Sequence, residues 1–200
     1  MTSTQLQSAR RLACAAVLSS FTIPLSLDAQ VQPEGAPQAQ QPADPWQRAL
    51  RDVARLDSEG RSADARAAFQ RMIDTAKTPA ARAAAQRRMA MSYGFGGDCA
   101  NAVRYEEMVI AYWKTRERED PQDAFYQQGE MANEAARVCI DAGDLDTAEK
   151  YYRLGSELGL REPEPKTHPK SLWDYRLHHA LGRLAARRGN AALAKQHVDA

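Results

Sequence analysis

The sequence predicts an all-α fold, a chain of about four antiparallel helical hairpins, and three observations indicate it. Hydrophobic residues make up 44% of the chain but aromatic residues only 7%, whereas β-sheet proteins favour β-branched and aromatic residues. Four segments of the chain align without gaps around one glycine and one alanine. Capping residues and prolines also divide residues 44–200 into eight helical segments.

Charge and composition exclude several classes of protein. The 200 residues include 27 Lys and Arg against 26 Asp and Glu, so the formal net charge is +1. This balance provides no overall field for nucleic acid or anionic lipid, and we expect no nucleic-acid partner. Only 11 Gly and 10 Pro are present, which excludes collagen-like and wholly disordered chains.

Residues 1–29 have the layout of a secretory signal peptide. Arg10 and Arg11 precede an apolar run from Leu12 to Ile23, and small residues follow up to Ala29. The run is too short to cross roughly 30 Å of hydrocarbon as a helix. We expect cleavage after Ala29 and an exported protein, periplasmic or extracellular, with no membrane contact after cleavage. An uncleaved membrane anchor is the alternative.

The sequence predicts a flexible linker over residues 30–45 and a helical domain over residues 46–200. The linker reads QVQPEGAPQAQQPADP, with four prolines and five glutamines and almost nothing apolar to bury. A proline-rich ligand for an aromatic groove is a second interpretation, although a PxxP spacing with flanking basic residues is missing.

The internal repeat sets the positions of the helices. Each aligned segment starts at a glycine that suits a tight turn between helices, and an alanine five positions later permits close helix packing. The glycines are Gly60, Gly97, Gly143 and Gly189, followed by Ala65, Ala102, Ala148 and Ala194. Four positions beyond each alanine stand Phe69, Glu106, Tyr152 and Val198.

Local signals predict the helix boundaries. Asp44 and Thr78 each precede a proline, which is typical of an N-cap followed by proline at the first helical position. We expect helices from about 44, over 62–76, from 79 to the glycines near 94–97, over 100–118, 122–142 and 144–159, from 171, and over 191–200. Residues 161–170 contain three prolines and cannot be helical.

This register resembles the tetratricopeptide repeat, whose unit is two antiparallel helices with small residues at their crossings and an aromatic residue late in the second helix. The resemblance covers about 45–200, with glycine spacings of 37, 46 and 46 residues where the family has 34. It implies a right-handed superhelical α-solenoid of about four repeats. Either a short last helix or truncation of a longer array explains the end of the pattern at Ala200.

The resemblance also implies a partner-binding groove along the first helix of each hairpin. On each first helix, the residues that line the groove lie thirteen, ten, six and two or three positions before the turn glycine. Several of these residues have basic or polar side chains. The candidate partner-binding residues are Arg87, Asn133, Arg137, Arg176, His179, Arg183 and Arg187. An acidic segment or a free C-terminal carboxylate suits these arginines. A basic helix face that is merely solvated is the alternative.

Known catalytic signatures are missing from residues 30–200. The segment contains no phosphate loop, HExxH, GxSxG or CxxC, so we expect no catalysis, no cofactor and no metal site. His178 and His197 fall on adjacent helices, which raises the possibility of a metal site, but the adjacent His178 and His179 point about 100° apart and cannot easily bind one ion together. We interpret that pair as one packed and one exposed side chain. We expect Glu106 and Glu107 to be solvated.

Two cysteines remain after signal cleavage, and the array geometry brings them to the same rim. Cys99 lies at the start of one second helix and Cys139 near the end of the next first helix. An exported protein with this geometry can form a Cys99–Cys139 disulfide, and two separate buried thiols remain the alternative.

Two functions stay open at this point. The first is an exported scaffold that binds a protein or peptide. The second is the non-catalytic portion of a larger secreted enzyme or envelope assembly factor.

Overall fold

Eight α-helices form in the computed structural model, which describes residues 44–163 and 169–200. Within these residues there is no β-strand. The predicted signal peptide, residues 30–43 of the predicted linker, and His168 lie outside the described residues. The helices are α1 Pro45–Ser58, α2 Ser62–Thr75, α3 Pro79–Phe95, α4 Cys99–Lys114, α5 Pro121–Ala142, α6 Leu145–Gly159, α7 Ser171–Arg187 and α8 Ala191–Asp199.

The helix starts follow the predicted caps. Asp44 Oδ1 accepts a hydrogen bond from the backbone N–H of Trp46 at 3.0 Å, and Thr78 Oγ1 accepts one from Ala81 at 3.1 Å. The end of α4 differs from the prediction, because the helix stops at Lys114 and turns replace it as far as residue 119. The Thr115 N–H and hydroxyl both donate to the carbonyl of Tyr112, which closes the helix early.

The four repeat glycines all adopt the left-handed conformation that the tight turns require. Their φ angles are 75°, 69°, 87° and 76° for Gly60, Gly97, Gly143 and Gly189. Three of the four alanines that follow, Ala65, Ala102 and Ala148, are at most 1% exposed. The repeat found in the sequence therefore marks the same turn and the same close helix contact in the structure.

Helices pack mainly against their neighbours in sequence. Each helix from α1 to α7 contacts the next, and α3 also contacts α1 and α5. One hydrophobic cluster joins α1 to α4 around Leu50, Phe69 and Met89. A second joins α4 to α7 around Ile140 and Tyr151. The fold is thus all-helical, with the adjacent-helix packing that a helical repeat requires.

The last helix is less covered than the others. No residue of α8, which is described in full, is buried. Val198 occupies the repeat position of Phe69 and Tyr152, yet it is 80% exposed where those two are at most 6% exposed. The described helices include none long and apolar enough to span a bilayer.

Candidate partner-binding groove

Many of the groove positions implied by the repeat line three cavities. The first, of about 440 Å³, lies among α1, α3, α4 and α5 and includes Gln47, Arg87 and Met91. The second, of about 310 Å³, lies among α3, α4 and α5. The third, of about 820 Å³, lies on α7 and α8 and includes His179 and Arg183. The first two cavities share Met91, and four of the candidate residues, Arg87, Arg137, His179 and Arg183, line one of the three cavities, whereas Asn133, Arg176 and Arg187 line none of them.

Two of the candidate arginines are engaged by acidic residues of α5. Arg87 of α3 makes two hydrogen bonds to Glu134, at 2.5 and 3.3 Å. Arg176 of α7 pairs with Glu130 and lies over the ring of Trp173, 5.1 Å from its centroid. Glu130 and Glu134 are one helical turn apart on α5, so this helix offers one acidic partner to Arg87 of α3 and another to Arg176 of α7.

The other arginines keep more of their hydrogen-bonding capacity. Arg137 contacts Glu134, and Arg183 contacts Asp141, each at 3.9 Å, with the two arginine side chains 52% and 43% exposed. Arg187 is exposed and donates one hydrogen bond, at 2.6 Å, to the carbonyl of Ile140 near the end of α5. These three guanidinium groups remain accessible to an acceptor on a partner.

The two candidate residues that are not arginines, Asn133 and His179, contact neighbouring residues within the protein. Asn133 is 4% exposed and packs against α6, where a Cβ on Gly155 would lie 2.5 Å from its Oδ1. It contributes no side chain to an open surface. His179 is exposed and stacks on Tyr175, with ring centroids 6.2 Å apart.

Glu106 was expected to be solvated, and that expectation is wrong. The residue is 2% exposed on α4. Burial, reinforced by a hydrogen bond and charge repulsion from Glu134, raises the pKa of Glu106 to about 9. The sequence did contain a signal, because the repeat aligns Glu106 with the buried Phe69 and Tyr152. Its neighbour Glu107 is exposed and accepts a hydrogen bond from the Tyr151 hydroxyl.

Cys99 and Cys139 are joined by a disulfide in the structure. The S–S distance is 2.06 Å and the Cα atoms are 4.7 Å apart. The bond links the first residue of α4 to the last turn of α5, so it connects two successive hairpins.

The histidines of α7 and α8 approach each other more closely than the sequence suggested. Nδ1 of His178 lies 3.3 Å from Nδ1 of His197, and both side chains are half-buried. Across residues 44–163 and 169–200, no group of three or more His, Cys, Asp or Glu side chains is arranged to hold a metal ion.

Comparison with known proteins provides no family assignment. No family model matches the chain, and no curated protein matches it at a significant level. The resemblance to tetratricopeptide repeats therefore rests on the register of the turns and on the helical packing.

Proposed function

We propose that this protein is an exported, tetratricopeptide-like scaffold of about four helical hairpins that binds a protein or peptide partner and catalyses no reaction of its own. The scaffold forms a right-handed array, and its first helices provide the binding surface. Stacked helical hairpins commonly serve as extended binding surfaces of this kind.

One observation carries the proposal: groove positions on separate helices line common cavities. Met91 and Phe95 of α3 share the 310 Å³ cavity with Arg137 and Asp141 of α5. These residues come from two repeats, 46 residues apart in register. A surface that combines apolar walls with accessible charged groups suits a peptide segment.

The ion pairs within the protein limit which arginines of the groove are available to an acidic partner. Arg87 and Arg176 are occupied by Glu134 and Glu130, whereas the ion pairs of Arg137 and Arg183 with other described residues are the 3.9 Å contacts given above. We therefore assign carboxylate recognition to Arg137 and Arg183, each of which can form a bidentate pair. Exposed arginines of this kind make such binding sensitive to salt.

Peptide selection on the purified protein tests the proposal. Peptides enriched from a displayed random library are measured against the wild type, against Arg137→Glu with Arg183→Glu, and against a control with two reversals on the second helices, Arg71→Glu with Arg153→Glu. We expect the groove variant to lose at least about tenfold in affinity, or about 1.4 kcal/mol, and the control to bind as the wild type does.

Circular dichroism verifies that both variants stay helical. The proposal fails if no peptide is enriched over an unrelated helical protein, or if the enriched peptides bind the two variants equally well.

A further inference from the structure

Two histidines on neighbouring helices, α7 and α8, face each other with one ring nitrogen each. Nδ1 of His178 lies 3.3 Å from Nδ1 of His197. The ring centroids are 5.4 Å apart and the ring planes are inclined by 56°. Because the centroid separation exceeds the nitrogen separation by nearly two ring radii, both Nδ1 atoms lie on the facing edges of their rings. The neighbouring His179 stacks on Tyr175 instead.

The nitrogen separation fits two different occupants of the space between the rings. The first is a hydrogen atom, since the Nδ1–H tautomer of one neutral imidazole can donate to Nδ1 of the other. The second is a zinc ion. Zinc binds imidazole nitrogen at about 2.0–2.1 Å in tetrahedral geometry, so two nitrogens on one ion lie about 3.3–3.4 Å apart. The pair therefore already has the spacing of two zinc ligands.

An open cavity of about 820 Å³ on α7 and α8 borders the pair. His178 and His197 both line it, and both side chains are half-buried. The cavity can hold the water molecules that complete the coordination of an ion. No residue of α8 is buried, so local opening of this helix provides a second route by which an ion reaches the two nitrogens.

The charged groups around the cavity compensate one another. Asp174 of α7 lines the cavity with an exposed carboxylate. Arg183 also lines it, but its guanidinium lies 3.9 Å from Asp141 of α5. On α8, Lys195 pairs with Asp199. Each base near the histidines thus has an acidic neighbour, and Asp174 adds a further negative charge that favours a cation.

We propose that His178 and His197 bind one zinc ion through their Nδ1 atoms and that this ion links α8 to α7. Zinc takes the place of the shared hydrogen atom, and the displaced proton is exchanged through water to Nε2 of the same ring. Both rings are then Nε2–H tautomers. Among the described residues no group of three or more potential ligands is present, so the ion is exchangeable and water fills its other positions. This site does not depend on the proposed function.

Zinc chloride is the probe, titrated into the purified, untagged protein at about pH 7.5, where imidazole is mostly neutral. The variants are His178→Ala, His197→Ala and the matched control His179→Ala, which removes the adjacent histidine. We expect each of the first two to lose at least about tenfold in zinc affinity and the control to bind as the wild type does. Magnesium, which prefers oxygen ligands, should not bind.

Two further measurements on the wild type report the ion directly. Long-range ¹H–¹⁵N spectra of the imidazole rings should show both His178 and His197 as Nε2–H tautomers once zinc is bound. Amide hydrogen exchange in α8 should slow about tenfold at a zinc concentration roughly ten times the dissociation constant, because the open helix leaves only one ligand on the ion. A purely structural contact between the rings would change neither quantity.

Several outcomes would overturn the proposal. They are the absence of zinc binding at millimolar concentration, an unchanged affinity in His178→Ala or His197→Ala, an equal loss in His179→Ala, and unchanged tautomers in the presence of zinc. The last result would identify the contact as a hydrogen bond alone. The wild-type spectra are decisive even if His197→Ala unfolds α8.

Discussion

A Cβ atom on Gly159 would lie 2.1 Å from Cε2 of Trp173. Gly159 is the last residue of α6, and Trp173, on the first turn of α7, is fully buried. The indole therefore fills the space that a side chain on α6 would occupy. This contact sets how α7 docks on the preceding helix.

Substitution Gly159→Ala should destabilise the fold by about 2 kcal/mol or more, since the new methyl group overlaps a buried ring that has little room to move. Urea unfolding followed by circular dichroism measures the change. Gly96→Ala is the matched control, because its φ is −85° and its added Cβ would come no closer than 3.5 Å to any neighbour. The control should shift stability by less than about 0.5 kcal/mol. Equal effects of the two substitutions on stability would contradict the close packing of Trp173 against Gly159.

The Cys99–Cys139 bond should contribute about 4 kcal/mol to stability. It closes a sequence separation of 40 residues, and the chain-entropy relation for a loop of this size gives that magnitude. Thermal unfolding of the purified protein with and without reductant measures the effect. Non-reducing mass spectrometry should find the two cysteine peptides linked.

The double variant Cys99→Ala with Cys139→Ala is the control for the reductant. Its unfolding temperature should equal that of the reduced wild type and should not respond to reductant. Alkylation of both thiols in the folded, unreduced protein would show that the bond is not formed in solution.

The Glu106 carboxyl predicts an unusual dependence of stability on pH. Its pKa is about 9 in the folded protein, from an ordinary value of 4.5. Between these values the folded state holds a proton that the unfolded state has lost. The contribution of Glu106 to the free energy of unfolding therefore falls as pH rises, by at most about 1.4 kcal/mol per pH unit, until the pH passes the pKa of the folded protein.

The substitution Glu106→Gln removes this dependence. We expect the variant to be more stable than the wild type at pH 8.5, with a gain on the order of 1–3 kcal/mol larger than at pH 5.5. Urea unfolding at the two pH values gives the difference. Glu157→Gln, on the exposed side of α6, controls for the loss of one carboxylate. An identical effect of Glu106→Gln at both pH values would refute the buried, neutral state.

Export predicts a processed N-terminus. The arginine pair before the apolar run of residues 12–23 implies that protein from the cell envelope begins at or near Gln30. N-terminal sequencing of the native protein tests this. Recovery of the chain from the cytosol with Met1 intact would contradict it.

Sequence reasoning located the turns and helices because their signals are local. A glycine at positive φ and a capping Asp or Thr act within a few residues, so the register alone placed Gly60, Gly97, Gly143 and Gly189 correctly. The end of α4 was misjudged since the residues after Lys114 are good helix formers. The helix closes there through turn hydrogen bonds, among them the double hydrogen bond of Thr115 to the Tyr112 carbonyl.

The site was predicted less completely because its contacts join distant residues. The arginines were chosen from their own positions, without the acids that face them. Arg87 and Glu134 are 47 residues apart in sequence, and the packing of α3 against α5 brings them together. Glu106 was misjudged for a different reason, since residue type was given more weight than the repeat position, which pointed to the core.

The helices differ in how many buried residues they contain, and this difference predicts the order in which they unfold. The covalent link between α4 and α5 holds the centre of the chain, whereas α8 has no buried residue and α1 has one. Because the described helices contact mainly their near neighbours in sequence, the two end helices can unfold without disturbing the centre. Amide hydrogens of α8 should therefore exchange with solvent first and those of α5 last, so α8 can rearrange while the disulfide-linked pair α4 and α5 stays folded.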